Sequence, residues 1–187
     1  HLVAGLARPE AGHFELHGKR LDLANVSEAV KAGIALVPEE RRSQGVMLQQ
    51  SVAFNINIST LKLLRGVPGL PFLSDAKSRR QAESLVAHLG IKTPGVTDRI
   101  AGLSGGNQQK ALIARWLNAG TKLLILDEPS RGVDVGAREE IHDAIRALAR
   151  SGVGILVISS DVEELTLLAD RVLVMREGGI TGELTGA

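Results

Sequence analysis

Apolar and polar positions near the start of the chain predict a hairpin, a short helix and a strand. Apolar and polar side chains alternate over residues 13–21, with Gly18 between the two halves, which is typical of a β-hairpin. We expect Ser27 to cap a short helix. The apolar run 34–37 is stopped by Pro38 and predicts a strand that leads into a polar loop.

The pattern changes in a leucine-rich middle region, from about residue 51 to residue 100. Apolar residues have helical spacing over residues 76–89. We interpret this region as a helical subdomain inserted between strands. Glycine and proline interrupt the leucine-rich segments at Gly66, Pro68, Gly69, Pro71 and Pro94.

The last part of the chain alternates helices with short apolar strands. Because its strands are continuous apolar runs, they predict a parallel sheet buried on both faces between helices, which is an α/β architecture. The predicted helices are 106–117, 137–150 and 162–169, and the predicted strands are 122–126, 154–158, 172–175 and a last short one from Ile180.

Composition narrows the class of protein. The chain has 187 residues and a formal net charge of +1, which does not support a nucleic-acid partner or an anionic membrane. Apolar residues make up 44% and aromatic residues 2%, so the core must be aliphatic. A protein that binds single-stranded nucleic acid by stacking bases on aromatic side chains would have few such residues here. The chain has no cysteine, which excludes disulfides and thiolate metal sites. No apolar run approaches the ~18 residues of a membrane-spanning helix.

Two adjacent carboxylates, Asp127 and Glu128, follow the apolar run 123–126. Open α/β sheets bind their ligands at the carboxyl ends of strands. Two buried carboxylates repel each other, and a nearby Mg²⁺ would make the pair tolerable. Asp127 would then hold the metal through water, and Glu128 would accept a proton from, or orient, an attacking water. From these residues alone, an acidic turn after a strand is an equally good interpretation.

The segment 103–110, with sequence LSGGNQQK, places a serine and two glycines where a helix begins. Backbone N–H groups at a helix start favour an anion, and the absence of side chains at Gly105 and Gly106 would let a phosphate approach. The hydroxyl of Ser104 could add a donor. A serine cap followed by a glycine turn is the alternative.

Taken together, LSGGNQQK and the later LLILDEPSRGVDVGAR resemble the signature motif, Walker B strand and D-loop of ABC transporter ATPases. The sequences of these motifs are close to those in the ATPases of ribose-, galactose- and xylose-type importers, which fuse two nucleotide-binding domains in one chain. The resemblance covers nearly the whole chain. It implies a P-loop NTPase-like ABC ATPase domain, mostly a parallel sheet between helices, with an inserted helical subdomain.

The resemblance also implies roles for individual residues and a division of the chain. Ser104, Gly105, Gly106 and Asn107 match the signature loop, which reaches the γ-phosphate held by an opposite domain. Asp127 matches the Walker B aspartate that serves Mg²⁺, Glu128 the catalytic glutamate, and Asp134 the D-loop at the dimer seam. The implied parts of this partial nucleotide-binding domain, 1–187, are a β-subdomain with a core remnant (1–50), the helical subdomain (51–103) and the signature, Walker B, D-loop and switch region (104–187).

Three departures from the family pattern carry expectations of their own. No G-x-x-x-x-G-K-[ST] phosphate loop is present, so we expect that the sequence begins within the domain, after the Walker A strand and loop. Glu39 stands at the Q-loop position in place of glutamine, and Ser160 at the switch position in place of histidine. Both changes should weaken hydrolysis, and both suggest the second domain of a fused importer.

The implied function is an ATP-dependent, Mg²⁺-dependent ATPase subunit that powers import of a simple sugar or similar small solute. The implied partners are a second nucleotide-binding domain, membrane permease subunits and, indirectly, a periplasmic or lipid-anchored sugar-binding protein, with the chain peripheral on the cytoplasmic face of the bacterial inner membrane. The alternative is a catalytically degenerate domain that completes the other domain's ATP site. A soluble ABC protein acting on ribosomes or DNA fits less well, because the chain lacks basic tracts.

Several other residues have simpler expected roles. We expect solvated surfaces for His13 and His17, structural roles for His88 and His142, and core or helix packing for Trp116. We expect Arg131 and Arg138 to pair with local acids. The fragment alone is expected to be poorly soluble and inactive.

Overall fold

A computed structural model describes residues 1–64 and 73–186. The interrupting residues Gly66, Pro68, Gly69 and Pro71 lie outside the described residues.

The first elements are the hairpin and a short helix. Strands β1 (Phe14–Leu16) and β2 (Lys19–Leu21) pair antiparallel, which confirms the predicted hairpin. Helix α1 (Val26–Ala32) follows, but its cap is Asn25 and not Ser27. Asn25 has the extended backbone that a cap requires and its Oδ1 accepts from the Glu28 amide at 3.1 Å, so the prediction for Ser27 was wrong.

A parallel sheet of three strands lies at the centre, in the order β3, β4, β5. These strands are Ile34–Val37, Leu123–Asp127 and Gly154–Ile158. The middle of β4 is buried on both faces, as its apolar run predicts. The same prediction was wrong for β5, where Leu156 is 42% and Ile158 is 47% exposed. Strand β5 is the edge of this described sheet, and only its alternate residues pack against the core.

The last two strands form a hairpin of their own. Strands β6 (Arg171–Arg176) and β7 (Gly179–Thr185) pair antiparallel, with Arg176 opposite Gly179. The sequence predicted that they belong to the parallel sheet, but within the described residues they form a separate sheet, so this prediction was wrong. The tight turn at Glu177 and Gly178, both at positive φ, sends β7 back along β6 and imposes the antiparallel pairing.

Helices fill the described parts of the middle region and confirm the predicted helix over 76–89. The division of the chain at residues 50 and 103 stays a prediction. The helical elements here are a π-helical turn (Arg41–Gly45), α2 (Val52–Asn57), 3₁₀ turns (Ile58–Leu64 and Ile100–Gly102) and α3 (Asp75–His88).

Helix α4 (Gly105–Asn118) is the centre of the core, and α5 (Val135–Arg150) packs beside it. Helix α6 (Val162–Leu168) packs on α5. The core is aliphatic as predicted, with fully buried side chains that include Ile56, Ile100, Leu112, Ile113, Leu126 and Ile141. Among the described residues no helix is long and apolar enough to cross a membrane.

A polar bond set joins α4 to the elements that precede it. The buried guanidinium of Arg115 donates to the backbone oxygen of Asn55 at 2.7 Å, to its Oδ1 at 3.2 Å and to the backbone oxygen of Gly45 at 2.9 Å. Desolvation lowers the pKa of Arg115 to about 10. This one side chain therefore connects the signature helix to both α2 and the π-helical turn.

The exposure of the histidines and of Trp116 agrees with most of the roles expected for them. His13, His17 and His88 are exposed, whereas His142 is buried. Trp116 is partly buried and packs against the core.

Candidate functional site

The serine of the signature segment caps α4. Ser104 has extended backbone, and its Oγ accepts from the Asn107 amide at 3.5 Å and from Asn107 Nδ2 at 2.9 Å. The Asn107 Oδ1 accepts from the Lys92 amide at 2.8 Å. Both ends of the Asn107 side chain thus bind groups of this chain. Asn107 can therefore affect the site only by orienting Ser104.

Packing against α5 requires Gly106, whereas the neighbour of Gly105 is the flexible end of the Arg41 side chain. A Cβ on Gly105 would lie 2.5 Å from Arg41 Nη2, and a Cβ on Gly106 would lie 2.6 Å from the Cβ of Ala137. Side chains essentially never approach so closely, so the start of α4 lies directly on the first turn of α5. Gly106 therefore serves the packing of α4 on α5 as well as any ligand.

A buried lysine ends the signature segment. The Lys110 side chain is 3% exposed, and its Nζ donates to Glu140 Oε2 at 2.8 Å and to the Gly90 oxygen at 2.6 Å. Lys92 Nζ reaches the other Glu140 oxygen at 2.6 Å. The hydrogen bonds from Lys110 and then Lys92 lower the pKa of Glu140 to about 2. This carboxylate joins α5 to α4 and to the loop after α3.

We expect Glu140→Gln to destabilise the intact protein by about 1 kcal/mol at pH 7, a modest value because Glu140 is partly exposed. The native pKa lies below the ordinary glutamate value of 4.5, so the contribution is present above pH 4.5 and is lost as pH falls towards 2. Urea unfolding of both proteins at pH 7, 4 and 3 measures it. A stability difference that does not shrink below pH 4.5 would contradict this assignment.

The two carboxylates after β4 lie at its carboxyl end and are half-buried, less buried than the sequence predicted. Asp127 is exposed to a cavity of about 570 Å³, which Glu39, Pro38 and Trp116 also line. The Asp127 side chain makes no hydrogen bond or ion pair with other described residues.

Glu128 has an unusual backbone. Its φ is 47°, which non-glycine residues adopt rarely and which clusters at functional sites. Its amide donates to the Ile158 oxygen at 2.8 Å, and its Oε1 accepts from the Ser160 amide at 2.8 Å. The ends of β4 and β5 are therefore joined at the two predicted catalytic residues, Glu128 and Ser160.

The contribution of Ser160 to this contact comes from its backbone, since its side chain is exposed. The next residue, Asp161, caps α6 and pairs with Arg138 Nη1 at 2.7 Å. Hydrogen bonds from the Glu164 and Glu163 amides, together with Arg138, lower the pKa of Asp161. The expected pairing of Arg138 with a local acid is confirmed.

The loop after β3 is bound to the turn after β4. Glu39 forms an ion pair with Arg131, which confirms the expected pairing of that arginine. Arg41 donates in return from Nη1 to the Arg131 oxygen at 2.9 Å and from Nη2 to the Gly132 oxygen at 3.1 Å. Desolvation and the charge of Arg42 lower the pKa of Arg41.

Asp134 belongs to this same turn and caps α5, since its Oδ1 accepts from the Ala137 amide at 2.9 Å. The predicted site residues thus fall into two groups. Asp127 and Glu39 line the cavity, and Glu128, which follows Asp127 in the chain, accepts from the Ser160 amide. The signature residues Ser104–Gly106 do not line that cavity; they lie against Arg41 and Ala137.

Sequence reasoning missed residues whose roles depend on distant partners. Arg41 contacts residues about ninety positions away, which no local pattern predicts. Glu164, on α6, is 1% exposed and accepts hydrogen bonds from three side chains. A carboxylate among apolar positions of a short amphipathic helix was the one signal available in the sequence.

Comparison with known proteins identifies relatives along nearly the whole chain. The family model described as ABC transporter matches residues 1–131. A putative ribose/galactose/methyl galactoside import ATP-binding protein of Rhizobium meliloti (strain 1021) is 49% identical over 98% of this chain and 36% of its own length. The arabinose import ATP-binding protein AraG of Pseudomonas syringae pv. syringae (strain B728a) is 45% identical, again over 98% of this chain and 36% of its own. The chain therefore spans about a third of these curated relatives.

Solved structures share the fold. A dimeric post-hydrolysis ATP-binding cassette bound to ADP and Pi superposes with a TM-score of 0.76 at 20% identity, covering 98% of this chain and 77% of that one. A nucleotide-free ATP-binding cassette from an ABC transporter gives a TM-score of 0.80 at 20% identity, covering 100% of this chain and 74% of that one. These similarities establish the fold class, and with the family match over residues 1–131 they show that the chain belongs to the ABC transporter family.

Proposed function

We propose that this chain is part of an ATPase that binds ATP with Mg²⁺ and powers the import of a simple sugar through a membrane permease. The observation that carries the proposal is the contact between the Glu128 carboxylate and the Ser160 amide at the carboxyl ends of β4 and β5. Asp127, which precedes Glu128 in the chain, lines a cavity. The functions named for the relatives, import of ribose, galactose and arabinose, support the sugar class.

The residues beside the cavity fit a hydrated magnesium ion. Asp127 offers carboxylate oxygens with no partner among the described residues, and Mg²⁺ is held in proteins through one or two carboxylates and waters. When bound, the ion would neutralise phosphate charge. Glu128 would orient the attacking water and accept its proton, with the Ser160 amide fixing one of the two Glu128 oxygens.

The signature residues serve a different nucleotide in this proposal. Ser104–Gly106 open a helix of 14 residues, and the Ser104 Oγ accepts in its bonds with Asn107, so its own proton is available to a phosphate. They lie against Arg41 and Ala137 and do not line the cavity. This separation supports a head-to-tail pair, in which a second nucleotide-binding domain presents its ATP to this loop.

The partners and location follow from the same proposal. Permease subunits and, through them, a sugar-binding protein would complete the importer. The chain would be peripheral, on the cytoplasmic face of the bacterial inner membrane.

A second candidate is a catalytically weak partner domain that completes the other domain's ATP site. Two observations favour it: an exposed serine stands at the switch position, and Arg131 occupies the Glu39 carboxylate at the Q-loop position. Serine cannot bring the positive charge that histidine brings to a γ-phosphate. The rate of a Glu128 variant separates the two candidates.

Replacing Asp127 with asparagine tests the metal role. In the intact protein, we expect Asp127→Asn to raise the Mg²⁺ concentration for half-maximal ATP hydrolysis by about tenfold or more, because a charged oxygen ligand is lost. Asp143→Asn, at an exposed site on α5, is the matched control and should leave the metal dependence unchanged. An unchanged magnesium requirement in Asp127→Asn would contradict the role.

A further inference from the structure

A buried carboxylate outside the predicted site connects the elements that carry it. Glu164 lies on α6 and is 1% exposed. Its Oε1 accepts from Ser130 Oγ at 2.6 Å and from His142 Nε2 at 3.0 Å, and its Oε2 accepts from Ser159 Oγ at 2.6 Å. The donors come from the turn after β4, from α5 and from the end of β5, so one side chain joins all of these to α6.

Two of these donors flank the contact between Glu128 and Ser160. Ser130 follows Glu128 by two residues, and Ser159 immediately precedes Ser160. The 2.8 Å bond from the Ser160 amide to Glu128 Oε1 therefore lies between two points that the same buried carboxylate holds. Since Glu128 has a φ of 47°, its conformation persists only where the surrounding structure fixes it.

We propose that Glu164 is a positioning residue that holds the Glu128 carboxylate against the Ser160 amide, by fixing the residues next to both; this rests on the proposed function of Glu128. A buried carboxylate is stable only when its oxygens are satisfied, and here they are. Moving either Ser130 or Ser159 away would leave a buried charge short of donors. The network therefore favours one arrangement of the two chain segments.

The test uses the intact protein and the variants Ser159→Ala and Glu164→Gln. Ser151→Ala is the matched control, since its hydroxyl makes an equivalent 2.7 Å bond to the Leu148 oxygen at the far end of α5. Two quantities are measured: ATP hydrolysis as kcat and KM, and hydrogen exchange of the peptide that contains Ser160 and Asp161. Thermal unfolding shows whether each variant is folded.

We expect Ser159→Ala and Glu164→Gln to lower kcat about tenfold with little change in KM for ATP, since a small displacement of a reacting group has effects of this size. Exchange at Ser160 should rise in both. Ser159→Thr, which restores the hydroxyl, should recover both quantities, and Ser151→Ala should alter neither. A variant that unfolds is replaced by Ser130→Ala, which removes another donor to the same carboxylate.

If Glu164 acts through Glu128, the losses of rate from substitutions at Glu128 and at Ser159 should not add. On a Glu128→Gln background, Ser159→Ala should lower the rate no further, and an additional tenfold loss there would overturn the proposal. If Glu128→Gln itself leaves the rate unchanged, the catalytic assignment fails. Exchange at Ser160 then decides the positioning proposal: a rise in Ser159→Ala supports it, and wild-type exchange overturns it.

Discussion

Replacing Glu128 with glutamine is expected to lower ATP hydrolysis by the intact protein by about 10²–10³-fold, within the range known for loss of a general base. Glutamine has nearly the same size, and its Oε1 can still accept from the Ser160 amide. What it cannot do is accept a proton from water. ATP binding should persist, so the loss should fall on kcat, which steady-state hydrolysis with saturating ATP and Mg²⁺ measures.

The chain contains a matched control for this substitution. Glu177 also has positive φ, 51°, but lies in the exposed turn between β6 and β7, away from the cavity. Glu177→Gln should therefore leave the rate unchanged, which separates the chemistry at Glu128 from any general effect of a glutamine at positive φ. An unaltered rate in Glu128→Gln would favour the weak partner domain that completes another site.

Removal of the Arg115 guanidinium should give the largest loss of stability. Arg115→Met keeps most of the apolar stem but removes the guanidinium that donates to the backbone oxygens of Gly45 and Asn55, whereas Asn55 Oδ1 still accepts from the Met47 amide. At 1–3 kcal/mol for each buried group left unsatisfied, we expect a loss of about 3 kcal/mol in the free energy of unfolding. Urea unfolding of the intact protein, followed by a probe in this domain, measures the difference.

The same substitution at Arg150 is the control. Arg150 lies exposed at the end of α5. Surface changes of this kind usually alter stability by less than about 0.5 kcal/mol. Equal effects of Arg115→Met and Arg150→Met would show that the bonds of Arg115 add no net stability.

Sequence patterns predicted the elements well where burial alone sets the pattern. The strand 122–126 and the helices at 106–117 and 137–150 match β4, α4 and α5 within a few residues, because apolar periodicity follows the core directly. The cap of α1 was misplaced because serine and asparagine are both good caps, and only the backbone conformation of Asn25 decides between them.

The sequence could name candidate site residues, which stay predictions, but it could not give their contacts. The resemblance located Asp127, Glu128 and Ser160, and the sheet brings them to one edge. The positive φ of Glu128 and the donation from the Ser160 backbone leave no trace in composition, since any residue at position 160 has an amide except proline. The ion pair between the buried Lys110 and the partly exposed Glu140 depends on helix packing that periodicity does not specify.

The close approach of Gly106 to Ala137 has a mechanical consequence. The backbone of α4 packs on the methyl group of Ala137 with no flexible side chain between them. A displacement of either helix is therefore transmitted directly to the other. The start of α4 at Ser104 and the turn that contains Asp134 are therefore rigidly connected. A second domain that bound this surface would therefore contact both segments together and could not bind one without the other.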